Sequence, residues 1–186
     1  MELFEKTVES ELIFDGKVVH LYKDKVALPD GSLSYREYVK HLGAVCVIPI
    51  TENNEVLLVR QYRYAVGESL TEIPAGKLDS TDEDPLSAAS RELSEETGAI
   101  AEKIIPLGIY YGSPAIMGEK IYMYLATGLS FKQQHLDDGE FLEVIKMPLS
   151  EAVKKVLDGT LRDGKTQSAI LRAAAMLAPE NFTQIK

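Results

Sequence analysis

Gly76-Lys77-Leu78-Asp79-Ser80-Thr81-Asp82-Glu83-Asp84-Pro85-Leu86-Ser87-Ala88-Ala89-Ser90-Arg91-Glu92-Leu93-Ser94-Glu95-Glu96-Thr97-Gly98-Ala99 is the stretch that decides the fold. Asp84 is a good N-cap and Pro85 suits the first helical position, where no amide hydrogen is needed. Gly98 stands where a helix ends in a left-handed residue. The spacing therefore predicts a helix from Pro85 to Thr97, with Leu86, Ala89 and Leu93 as its apolar stripe. Glu92, Glu95 and Glu96 stand at i, i+3 and i+4, within roughly a third of the circumference. Like charges that close repel, and the helix dipole disfavours negative charge at this end. A Glu-rich helix is ordinarily a solvated face. Here the acids flank the apolar stripe, while Ser87, Ser90 and Ser94 take the far side. The preceding Pro74-Ala75-Gly76-Lys77 loop can bring a backbone carbonyl close by. Carboxylates and a carbonyl make an all-oxygen donor set for Mg²⁺ or Mn²⁺, and such ions clamp diphosphates.

Upstream, Ala44 to Ile50 is a continuous apolar run that reads as a strand buried on both faces. Asn53-Asn54 turns the chain into a strand from Glu55 to Tyr62, and Ser69 to Ile73 reads as another. Downstream, strands are predicted at Ala101–Tyr110, Lys120–Ala126 and Phe141–Lys146, and helices at Leu149–Leu157 and Lys165–Leu177. This order implies an α/β (α+β) domain with a mixed sheet between helices, over residues 42–186. Residues 1–41 read as a small antiparallel β unit, punctuated by Asp15-Gly16 and Pro29-Asp30-Gly31. A three-stranded meander is too thin to bury a core of its own, so it must pack on the main domain, on a second copy, or on both.

The chain has 186 residues, 45% hydrophobic and 26% charged, with a formal net charge of -9. That charge argues against nucleic acid and anionic membranes as partners. The one cysteine, Cys46, lies in the apolar run and reads as a buried thiol. Met1 to Lys6 lacks the apolar core of a signal peptide, and no run is long enough to span a bilayer. A cytoplasmic location is the expectation. His20, His41 and His135 match no zinc spacing and read as structural or surface residues.

Glu83, seven intervening residues, then Arg91-Glu92-Leu93-Ser94-Glu95-Glu96-Thr97-Gly98-Ala99 resemble the signature of the Nudix hydrolases, G-x5-E-x7-R-E-U-x-E-E-x-G-U with U apolar. Gly76 and Glu83 are separated by six residues rather than five. Either the loop carries one extra residue or Asp82 takes the glutamate's place; Glu83 keeps the register to Arg91 and is favoured. The resemblance implies a Nudix α/β/α sandwich and hydrolysis of a diphosphate linked to another moiety. It implies metal ligands at Ala75 (carbonyl), Glu92, Glu95, Glu96 and Glu140, with Glu95, Glu96, Glu140 and Arg91 in the catalytic set. Mg²⁺ is the expected cofactor, with Mn²⁺ possible. No covalent nucleophile is needed, and Ser113 has no local acid–base partner.

Other segments resemble the ADP-ribose pyrophosphatase branch, bacterial members most. They are Gln61-Tyr62-Arg63-Tyr64, Glu72-Ile73-Pro74-Ala75-Gly76-Lys77-Leu78, Gly112-Ser113-Pro114 with Glu119, and the acidic loop from Asp137 to Val144. Ala115 stands where that branch has glycine. The likeness implies hydrolysis of ADP-ribose and related ADP-sugars to AMP and ribose 5-phosphate. It implies substrate contacts at Arg36, Tyr38, Arg63, Glu72, Pro114 and Glu119, with Glu140, or else Asp138, orienting the attacking water. It also implies a homodimer whose N-terminal unit crosses to the partner's site. Two alternatives stand beside it: another nucleotide sugar such as GDP-mannose, and a module that binds nucleotide sugars without turnover.

Overall fold

The computed structural model describes residues 2–179. Ala44–Pro49 (β4) is buried throughout, and its side chains alternate between two cores. Ala44, Cys46 and Ile48 face one and Val45 and Val47 the other, which is why the run reads as continuously apolar. β4 pairs in parallel with Ile121–Phe131 (β9) and antiparallel with Ala75–Lys77 (β7). Ala99–Tyr110 (β8) lies antiparallel on the far side of β9, giving the mixed order β7-β4-β9-β8. A second sheet sets Glu55–Arg63 (β5) between Glu68–Glu72 (β6) and Leu142–Pro148 (β10), all antiparallel.

Pro85–Thr97 (α1) covers the core of Val45, Val47 and Leu57. Leu149–Leu157 (α2) and Gly164–Leu177 (α3) cover the other core through Ala152, Ala169, Ile170 and Ala173. Helices on both faces make the expected α/β/α sandwich. The sequence misses β7, because Pro74 hides a pairing of three residues, and starts β8 two residues late. On α1, Ala89 and Leu93 of the expected stripe are buried, Leu86 is exposed, and Ala88 is buried in addition. The cap is as read: Asp84 accepts from the Ser87 amide at 2.9 Å, and Gly98 has φ 69°. A side chain at Gly98 would also strike the Lys132 carbonyl.

Lys6–Asp15 (β1), His20–Ala27 (β2) and Leu33–Lys40 (β3) form the N-terminal antiparallel sheet in chain order. It joins the rest at Val39, whose amide donates to the Ile116 carbonyl (2.8 Å) and whose carbonyl accepts from Gly118 (3.0 Å). Every residue of β1 is exposed, Val8, Leu12, Ile13 and Phe14 included. No helix among the described residues is long and apolar enough to cross a membrane.

Candidate active site

The last two turns of α1 carry the acids to the edge of β7. Glu96 is nearly buried, and its Oε2 accepts from the Ala75 amide at 3.0 Å. Glu92 packs so tightly against Gly76 that a Cβ there would overlap its carboxylate. This close approach is the local reason for glycine at that position. Arg91 donates to Glu92 (2.7 Å) and Glu95 (3.1 Å), and also to Glu83 (3.3 Å). Glu83 in turn accepts from the Asp79 amide at 2.6 Å. The Glu83–Arg91 contact is thus made despite the longer loop, and Asp82 does not replace it.

Burial pushes the Glu92 carboxyl up to about 7, against the opposing pull of Arg91. Burial likewise pushes Glu96 up to about 8; the Ala75 amide lowers it, while Glu92 and Glu140 raise it further. Among the described residues no three His, Cys, Asp or Glu side chains are drawn together as a ready metal cage. The donor chemistry nevertheless suits a hard divalent cation. It consists of clustered, partly to fully buried carboxylates whose charge is only partly met by one guanidinium, beside the β7 backbone that Gly76 lets approach.

Glu92 borders a cleft of about 580 Å³; Glu95, Glu96 and Glu72 are not among its lining residues. Arg91 and Glu92 line it from α1, Ala75 and Gly76 from β7, and Asp137 and Glu140 from the acidic loop. Asp138, the alternate to Glu140, is not among the lining residues. Arg63 lines it from the end of β5, and Glu119 from the segment before β9. Arg63 grips Glu72 with two bonds, from Nε (2.7 Å) and Nη2 (2.8 Å). Glu72 is 1% exposed, so its carboxylate is enclosed by cations rather than open to solvent. Burial alone would raise its pKa; Arg63 and Lys165 outweigh that and hold it below the ordinary carboxylate range.

Arg36, Tyr38 and Pro114 do not line this chain's own cleft. Arg36 pairs with Glu5 on the N-terminal sheet. Tyr38 stacks on Tyr22, with centroids 5.7 Å apart, and its hydroxyl donates to Asp24 at 3.3 Å. Two cleft residues, Asp163 and Lys165, carry no site role in the sequence reading. Asp163 and Lys165 open α3 beside Glu72; the Asp163 cap with Thr166 three residues on is the signal that marks this start. His41 lies against Glu119, Nε2 to Oε1 3.5 Å, while its Nδ1 accepts from the Gly43 amide at 3.0 Å. That backbone bond leaves Nε2 as the protonated nitrogen facing the carboxylate.

Compared with known proteins, residues 40–167 match the NUDIX domain. The chain is 42% identical over 170 residues to the ADP-ribose pyrophosphatase of Bacillus subtilis (strain 168), covering 90% of this chain and 91% of that one. It is 45% identical over 168 residues to the methanol dehydrogenase activator of Bacillus methanolicus, covering 89% and 90%. A crystal structure of an ADP compounds hydrolase superposes with a TM-score of 0.82 over 95% of both chains; at 20% identity this is a likeness of fold. A domain match running from the end of β3 to the first turn of α3, with relatives this similar along nearly the whole chain, makes this protein a member of the NUDIX family.

Proposed function

We propose that the protein is a Nudix pyrophosphatase that hydrolyses the diphosphate bond of ADP-ribose, and of related ADP-sugars, giving AMP and ribose 5-phosphate from ADP-ribose. The observation that carries this reading is the convergence of Glu92, Arg91 and Glu140 on one cleft with Arg63, Glu96 being bonded to the Ala75 that lines it, in a chain so similar to an ADP-ribose pyrophosphatase.

Nudix hydrolases in general require a divalent cation. Glu92, Glu95, Glu96, Glu140 and the Ala75 carbonyl are the groups we assign to hold it, with Mg²⁺ the first choice and Mn²⁺ the second. Bound there, the cation neutralises phosphate charge and acidifies water. The chain's own residues do the rest. Arg91 fixes the rotamers of Glu92 and Glu95. Glu140 stands on an exposed loop near Glu92 and Glu96, where its carboxylate can take the proton of the attacking water. Water's oxygen bonds to one phosphorus, the bridging oxygen leaves with the other, and the two products depart as phosphate monoesters. Arg63 contributes N–H donors for phosphate oxygens, and Glu119 an acceptor for a sugar hydroxyl.

We further infer a cytoplasmic homodimer in which the unit of residues 1–41 completes the partner's cleft. What supports this is the exposure of β1 and the position of Arg36 and Tyr38 away from their own chain's cleft. The decisive test of activity is release of phosphate, with a coupled phosphatase, across a panel of nucleoside diphosphate sugars. ADP-ribose is expected to give the highest kcat/KM. A marked preference for GDP-mannose sinks the substrate assignment, and absence of turnover with every sugar nucleotide at saturating Mg²⁺ leaves a binding module.

A further inference from the structure

The first turn of α3 is built into the cleft. Thr166 is fully buried; its Oγ1 accepts from the Ile73 amide (2.9 Å) and donates to Asp163 (2.5 Å). Asp163 also accepts from the Thr166 amide at 2.9 Å. These bonds fasten α3 to the chain immediately after Glu72 and two residues before Ala75. Gly164 allows the Tyr110 hydroxyl to close over the same turn, where any Cβ would collide with it. Lys165 thus leaves a fixed backbone, and its side chain, only 12% exposed, ends between Glu72 and Asp163 (3.0 Å to the latter) while bordering the cleft.

Two cations, Arg63 and Lys165, are balanced by two carboxylates, Glu72 and Asp163. The set is therefore neutral, and its significance lies in direction rather than net attraction. An ammonium has three N–H bonds, and two carboxylate partners leave one uncommitted among the described residues. Arg63 commits Nε and Nη2 to Glu72, and its Nη1 has no partner among the described residues. Both side chains border the same cleft, and Arg63 is near enough to Glu96 to feel its charge. Taking that cleft as the seat of a nucleoside diphosphate sugar, as proposed above, we propose that Lys165 is a substrate-binding residue that donates its remaining N–H to a phosphate oxygen beside Arg63, the two cations being held parallel by the shared Glu72 carboxylate.

The test is Lys165→Met in the full chain. KM for ADP-ribose should rise at least tenfold with kcat within threefold. Calorimetric affinity for AMP or for ribose 5-phosphate, measured in EDTA, should weaken by a similar factor; whichever responds identifies the phosphate that is held. Lys165→Arg, which keeps the charge and the donors, should restore both to within threefold. Should Lys165→Met fail to fold, Lys165→Met combined with Asp163→Asn keeps the helix cap and the charge balance, and the same readings apply. A KM and both product affinities within twofold of wild type would make Lys165 an ion-pair residue only and overturn the proposal. Wild-type enzyme that left ADP-ribose intact would overturn the functional reading instead, because the ratio of product affinities between variant and wild type requires no turnover.

Discussion

Glu96 shows how one residue can be legible in sequence and yet acquire its chemistry from its surroundings. Its place at i+4 from Glu92 is read from spacing, but its enclosure against Ala75 comes from the packing of α1 on β7. Glu96→Gln keeps the shape and an acceptor for the Ala75 amide. It should lower turnover by orders of magnitude while circular dichroism and the melting temperature stay close to wild type; unchanged turnover would refute the metal assignment. Glu72 gives a complementary case. Its folded pKa is depressed, so the stability it contributes is fully present above the unfolded carboxylate value and is lost as pH falls through that value toward the folded one. Wild-type protein should therefore lose stability below about pH 4.5. Glu72→Gln should show a flatter acid limb in urea titrations at pH 3–5 and lower stability at pH 7, where Arg63 and Lys165 lose their shared partner.

Among the elements, α1 is the one best written in sequence, because both its ends have side-chain or backbone signals within four residues. Asp84→Ala should destabilise the protein, seen as a lower urea midpoint with an unchanged slope. No shift would mean that packing on Val45 and Val47 alone fixes the start of the helix. The start of α3 is read to within one residue, Lys165 for Gly164, and the Asp163–Thr166 bond marks the boundary. β7 is harder to read, since three residues following a proline carry no periodicity. They are a strand because the edge of β4 has unpaired groups to meet. On α1, Ala89 and Leu93 are buried as read, and only Leu86, in the first turn, is exposed.

For the whole molecule, the N-terminal sheet is attached to the sandwich by little more than the Val39 bridge. Its first strand leaves Val8, Leu12, Ile13 and Phe14 exposed, an apolar surface of the kind that subunit contacts cover. The full chain should elute as a dimer at micromolar concentration, and a chain lacking residues 1–40 as a monomer with weakened affinity for ADP-ribose. A full-length monomer with full activity would show that the cleft is complete within one chain.

By itself the sequence determined the acidic face, the caps of α1, the buried strand β4 and the existence of a separate β unit. Each is encoded in residues a few positions apart, where helix and strand periods govern geometry before any tertiary contact forms. Only the tertiary structure decided that Arg63, Glu72 and Lys165 form one ion cluster, since Glu72 and Lys165 are separated by 93 positions. The same holds for the burial that lifts Glu92 and Glu96 toward neutral pH. Meetings across such separations, and the loss of water that accompanies them, follow from how whole sheets and helices pack, which no local spacing records.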